Sequence, residues 1–112
     1  MIYRQWDIVL IPFPFTDLKA VKRRPGLIIT PDQFNQNEQD LIIVYLTSNL
    51  KSRARFGDYR IEQWAAANLP KPSLTRMKMA TISKSIVQKK LGQLHSQDQI
   101  GFKRIWNKFF IF

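Results

Sequence analysis

The segment Leu41-Ile-Ile-Val-Tyr-Leu46 is apolar at every position. A run this short is of strand length, and its β-branched and aromatic residues favour an extended chain. A strand without alternation is buried on both faces, so neighbouring segments must cover it from two sides. Two further runs meet that need. Asp7-Ile-Val-Leu-Ile-Pro-Phe13 is closed by Pro12 and Pro14, which cannot donate to a ladder, and Pro25-Gly-Leu-Ile-Ile-Thr30 ends at Pro31-Asp32. Phe15 to Lys22 and the amide-rich stretch Gln33 to Asp40 read as connections. Thr47-Ser48-Asn49 closes the central run with side chains suited to a turn.

The second half is more mixed. Gly57-Asp58 ahead of Tyr59-Arg-Ile61 predicts a hairpin and a short strand, and Glu62 to Asn68 a brief helix stopped by Leu69-Pro70-Lys71-Pro72. Ser73 to Ile82 alternates, with Leu74, Arg76, Lys78 and Ala80 on one face and Ser73, Thr75, Met77 and Met79 on the other, as in a half-exposed strand. Ser85 to Leu91, halted by Gly92, predicts another short helix. The clearest helix is the last: Ser96 is placed to cap it, Asp98 sits in its first turn, and Phe102, Ile105, Trp106 and Phe109 fall on one stripe. The sum is about five short strands and one substantial helix, hence a mostly β chain with α additions, a small barrel. At 112 residues, 1–112 reads as a single domain, large enough to build a core without disulfides or metal.

Charge narrows the function. Eighteen Lys and Arg against eight Asp and Glu leave a net +10, which calls for a polyanionic partner, either nucleic acid or an acidic protein. The cations cluster at Lys19, Lys22, Arg23 and Arg24, at Lys51, Arg53 and Arg55, and along Lys71 to Lys90, a stretch with no acidic residue. Such runs are either solvated faces or phosphate-binding ones. The N-terminus lacks the layout of a signal peptide, and the longest apolar stretch carries two prolines and is too short to span a membrane. The expectation is a soluble cytoplasmic protein without membrane contact.

Several chemistries lack parts. There is no cysteine, His95 is the only histidine and reads as a surface residue, and the carboxylates form no D-x-D or E-x-x-H cluster. No Gly-rich phosphate loop is present, and no cofactor is implied. Arginines, lysines and hydroxyls remain. That set suits RNA cleavage, because RNA carries its own nucleophile in the 2′-OH. The protein then has to position the strand, aid proton transfer and stabilise charge on the phosphate, for which the planar guanidinium fork is well shaped.

In order along the chain, Asp7-Ile-Val-Leu-Ile-Pro-Phe-Pro-Phe-Thr-Asp17, Lys22-Arg-Arg-Pro-Gly-Leu-Ile-Ile29, Leu46-Thr-Ser48, Pro72-Ser73 with Thr81-Ile82, and Lys90-Leu-Gly-Gln-Leu94 resemble the PemK/MazF-like toxins of type II toxin–antitoxin pairs. The resemblance covers nearly the whole chain. It implies an SH3-like barrel with a C-terminal helix, a homodimer, and a sequence-specific endoribonuclease acting on RNA and neutralised by an acidic antitoxin. It implies Arg24 as catalytic arginine and Thr47 as catalytic threonine. RNA contacts then fall to Lys22, Arg23, Ser48, Asn49, Ser73, Arg76 and Lys78. Two departures stand out. Trp6 occupies a position usually held by glycine, which sets a bulky indole beside the RNA groove. Arg76-Met77-Lys78 stands where many relatives carry an acid.

Each assignment has a plainer rival. Arg24 can pair with Asp17 in an exposed bridge, Thr47 can be a turn hydroxyl, Ser73 can cap a strand and Arg76 can be solvated. For the whole chain, the alternative is a non-catalytic nucleic-acid- or protein-binding module on the same barrel, including a gyrase-poisoning toxin.

Overall fold

The computed structural model describes residues 1–12 and 22–112. Their strands form one antiparallel sheet: β1 (Asp7–Pro12), β2 (Arg23–Ile28), β3 (Asp40–Thr47), β4 (Tyr59–Arg60), β5 (Leu74–Ser83) and β6 (Lys89–Gln93). The order across the sheet is β4-β5-β3-β2-β1-β6. The sheet curls into a half-barrel, and the helix α2 (Ser96–Phe109) packs on it. The expected mostly β architecture with a C-terminal helix is therefore the observed one, with one strand more than expected.

Alternation along the inner strands divides the core in two. Ile8, Leu27, Val44 and Leu46 face Phe102 of α2 together with Ile61, Ala67, Leu69 and Leu94. Val9, Ile11, Ile28, Leu41, Ile43 and Tyr45 form the second cluster with Ile82. β3 contributes to both, which accounts for its unbroken apolar run.

Three segments depart from expectation. Gln33 to Asp40 holds most of a short helix, α1 (Asp32–Asn37), which is polar in sequence because its anchor is a hydrogen bond rather than an apolar stripe. Buried Asn35 donates Nδ2 to the Thr30 carbonyl at 2.9 Å and accepts from Thr30 Oγ1 at 2.6 Å. Ser85 to Leu91 is not a helix: a 3-10 turn (Lys84–Ile86) leads into β6, which supplies β1 with its second partner. Gly92 lies inside that strand, and a Cβ there would run into the Ala67 carbonyl. Glu62 to Asn68 makes turns rather than a helix and ends at Asn68 in the left-handed region, φ 64°.

The first turn of α2 explains that segment. Asp98 is fully buried and accepts from the Glu62 N–H (2.9 Å), the Gln63 N–H (2.8 Å) and the Tyr59 hydroxyl (2.6 Å). Its carboxylate thus ties α2 to β4 and caps the 62–68 turns. The α2 N-cap itself is His95, whose Nδ1 accepts from the Gln97 N–H at 3.1 Å, and not Ser96.

Candidate active site

β2 and β3 pair Ile28 with Ile43, Leu27 with Val44 and Gly26 with Tyr45. Pro25 has no N–H to carry the ladder further. Continuing the same register by two residues sets Arg24 across from Thr47. Alternation gives Arg24, Tyr45 and Thr47 one face of the sheet, on which Arg76 and Lys78 of β5 also project.

Arg24, Leu46 and Thr47 are shared by two adjoining depressions. One, of about 110 Å³, is completed by Tyr45, Arg76 and Lys78. The other, of about 210 Å³, is completed by Arg23, Pro25, Ser48, Pro70, Lys71 and Ser73. Among the described residues, five cations and no carboxylate line the combined cleft. Among the described residues, no three His, Asp or Glu side chains converge as metal ligands would.

The hydroxyls are set by local turns. Thr47 Oγ1 accepts from the Asn49 N–H at 3.1 Å, so Thr47 is a turn hydroxyl, and its own proton remains available to donate into the cleft. Ser73 is buried and donates to the Lys71 carbonyl at 2.9 Å, which shapes the strand entrance beside Lys71. Ser48 is exposed on the rim. Lys22 and Asn49 are exposed and line neither depression. Asp17, the proposed rival partner of Arg24, lies outside the described residues.

Arg76 lines the smaller depression but is engaged within the protein. Its Nε donates to Asp58 Oδ1 at 3.1 Å and its Nη2 to Asp58 Oδ2 at 2.9 Å, while Nη1 reaches Ser52 Oγ and Nη2 the Arg53 carbonyl, both at 3.2 Å. Burial alone would push the Asp58 carboxyl up. The Arg76 and Arg55 hydrogen bonds and charges outweigh it and hold Asp58 below the ordinary carboxylate value.

Trp6 stands elsewhere than expected. Its N–H donates to the Ile28 carbonyl, at the end of β2 opposite Arg24, and its indole meets Phe102 edge-on at 5.8 Å. The indole packs on α2 and lines neither depression, so it does not narrow the cleft. Its backbone keeps the glycine-like conformation, φ 75°.

Tyr45 was legible in the sequence only as core. It is 3% exposed and lines the smaller depression, and burial pushes its phenol up, so it stays protonated at neutral pH. Lys71 was visible only as one cation of a run.

Residues 4–104 match the family model for the PemK-like, MazF-like toxin of type II toxin–antitoxin systems. The chain belongs to that family. No curated protein sequence gives a significant match. Solved structures give the same fold. A mycobacterial endoribonuclease in complex with its cognate antitoxin aligns at TM-score 0.73 and 12% identity, over 96% of this chain and 91% of that one. The Mycobacterium tuberculosis toxin MazF-mt6 aligns at 0.73 and 16%, over 91% and 93%. A MazE–MazF structure from Deinococcus radiodurans aligns at 0.75 and 13%, over 97% and 96%. The PemK/MazF-like family thus includes antitoxin-bound endoribonucleases. Among the described residues of this member, no helix is long and apolar enough to cross a membrane.

Proposed function

We propose that this PemK/MazF-like chain is an endoribonuclease toxin that cuts single-stranded RNA, mRNA above all, at a short sequence. The observation that carries the proposal is that Arg24 of β2 and Thr47 of β3 line the same two adjoining depressions, where five cations stand among the described lining residues. The scissile phosphate sits between Arg24 and Thr47. The 2′-oxygen bonds to phosphorus as the bond to the 5′-oxygen breaks, leaving a cyclic phosphate and a 5′-OH. The proton lost by the 2′-OH passes to solvent, and the departing oxygen gains one. Arg24 stabilises the charge that builds on the phosphate oxygens, and the Thr47 hydroxyl donates to one of them. Arg23, Lys71 and Lys78 hold the flanking backbone. The nucleophile comes with the substrate, so the step calls for no metal ion.

The neutralising partner is an acidic antitoxin whose segment covers the cleft, its charge speeding association with the +10 surface. The active form is a homodimer, for which exposed Phe109, Ile111 and Phe112 supply apolar surface.

Purified protein incubated with a long RNA in excess EDTA should give discrete fragments. Replacing the ribose before each cut by its 2′-deoxy form should abolish cleavage and spare binding. Normal cleavage of the deoxy substrate would show that water attacks. Binding without any cleavage would move the chain to the non-catalytic module.

A further inference from the structure

A chain of hydrogen bonds joins the Thr47 hydroxyl to Arg76. Thr47 Oγ1 accepts from the Asn49 N–H at 3.1 Å. The Asn49 carbonyl accepts from Ser52 Oγ at 2.9 Å, and Ser52 Oγ in turn accepts from Arg76 Nη1 at 3.2 Å. The Ser52 N–H reaches the same carbonyl only at 3.4 Å, so the hydroxyl is the stronger closure of the 49–52 turn. Asp58 fixes the far side of the guanidinium, accepting from Nε at 3.1 Å and from Nη2 at 2.9 Å. The strand pairing shows how Arg76 comes to reach this turn. β3 pairs Val44 with Met79 and Leu46 with Thr75, so the single residue Tyr45 faces three, Arg76, Met77 and Lys78. Such a bulge frees its residues from the ladder and re-aims their side chains.

We propose that Ser52 and Arg76 are positioning residues for RNA cleavage: through Asn49 they hold the Thr47 hydroxyl so that its proton is directed into the cleft. The proposal rests on Thr47 donating to the scissile phosphate. Thr47 lines both depressions and Arg76 the smaller one, so the relay runs along the wall of that cleft. A threonine hydroxyl rotates to suit its partners, and accepting the Asn49 N–H leaves it fewer directions in which to donate. A pre-set direction counts most in the transition state, where a misplaced donor loses the developing charge. Ser52 carries no charge and lines neither depression, so its route to the reaction is through the Asn49 backbone. Arg76 adds its own charge to the cleft, which makes Ser52 the cleaner probe of the relay.

The test is a double-mutant cycle on single-turnover RNA cleavage. Ser52→Ala should lower the rate about fivefold, as for the loss of one hydrogen bond, with the Kd for an uncleavable 2′-O-methyl RNA unchanged. Ser52→Thr, which keeps the hydroxyl, should recover most of the rate. In Thr47→Ala the same Ser52→Ala change should cost nothing further, because the hydroxyl it positions is gone. Equal losses in the two backgrounds would overturn the proposal, as would a Ser52→Ala loss confined to binding. A second measurement needs no substrate. Hydrogen exchange at the Asn49 amide should quicken in Ser52→Ala, and unchanged exchange would overturn the relay whether or not RNA is cut. Faster Asn49 exchange in a protein whose wild type cuts no RNA would overturn the nuclease and the catalytic use of the relay, and would uphold the relay as a bonded structure. Faster exchange with full activity in Thr47→Ala would overturn the role of Thr47 alone and, with it, the positioning of its hydroxyl as a step in cleavage.

Discussion

Asp58 and Arg76 stand opposite each other at the mouth of the β4–β5 hairpin, one step beyond the Tyr59–Thr75 pair, and the guanidinium holds both carboxylate oxygens. Their side chains are 11% and 12% exposed. Four guanidinium hydrogen bonds are made within the protein, against five N–H groups available. This chain therefore uses an arginine to shape the loop beside the cleft. Lys78 is left as the exposed cation of that strand.

Asp58→Asn should destabilise the protein by about 1–3 kcal/mol at neutral pH, since the arginine loses its charged acceptor while half-sheltered. The pH dependence has a definite sign. The folded-state pKa of Asp58 is depressed below its unfolded value, so its contribution is fully present above the unfolded value and disappears as pH falls through the folded one. Urea midpoints of wild type and Asp58→Asn should differ by a constant amount above about pH 5, begin to approach each other near about pH 4, and converge only once pH falls below the depressed folded-state value. A gap that persists at low pH would mean that the clamp owes little to ionised Asp58.

Asp98 carries the link between α2 and the sheet. Asp98→Asn leaves one acceptor oxygen for three donors and turns an amide N–H₂ toward at least one of them. A loss of about 2–4 kcal/mol is expected, read as a lowered denaturation midpoint. Tyr59→Phe removes one donor and should cost about 1–2 kcal/mol. Burial first, then the Asp98 hydrogen bond, pushes the Tyr59 phenol far above its ordinary value. Tyrosine ionisation followed by absorbance should accordingly show Tyr59 untitrated until the fold is lost in alkali.

Short-range pattern identified the strands whose burial is decided by their own residues. Leu41 to Leu46 and the Phe102 stripe needed no partner to be read, because apolar period and length suffice. The segments that misled are those whose state is set from a distance. Ser85 to Leu91 becomes an edge strand because β1 has an open ladder. Asp32 to Asn37 becomes a helix because Asn35 finds Thr30. The site divides the same way. Arg24 and Thr47 were legible through motif, whereas the Arg76 clamp depends on a hairpin register that Gly57-Asp58 hinted at and local sequence did not specify. Trp6 shows the converse: the glycine-like backbone is retained, and the indole is redirected onto α2.

A homodimer should appear as a sedimentation mass of twice 13.2 kDa at micromolar concentration. Phe112→Ser and Ile111→Ser together should shift the equilibrium toward monomer, since both side chains are highly exposed in one copy. A wild-type mass of a single chain would reject the dimer.

Arg24→Ala separates chemistry from attraction. If Arg24 stabilises charge that develops only in the transition state, its loss should lower kcat by about 10²-fold or more. RNA affinity should fall far less, because Arg23, Lys71 and Lys78 still line the cleft. Thr47→Ala should follow the same pattern more mildly, as one hydrogen bond to a phosphate oxygen is removed and the charge remains. Thr47→Ser, which keeps the hydroxyl that accepts from Asn49, should recover most of the rate. Lys89→Ala is the control: it is exposed on β6 and lines neither depression, so it should weaken binding slightly, lower the salt slope and leave kcat alone. Equal losses of kcat in Arg24→Ala and Lys89→Ala would mean that Arg24 supplies general attraction only, and the cleft would then have to be read as a binding surface.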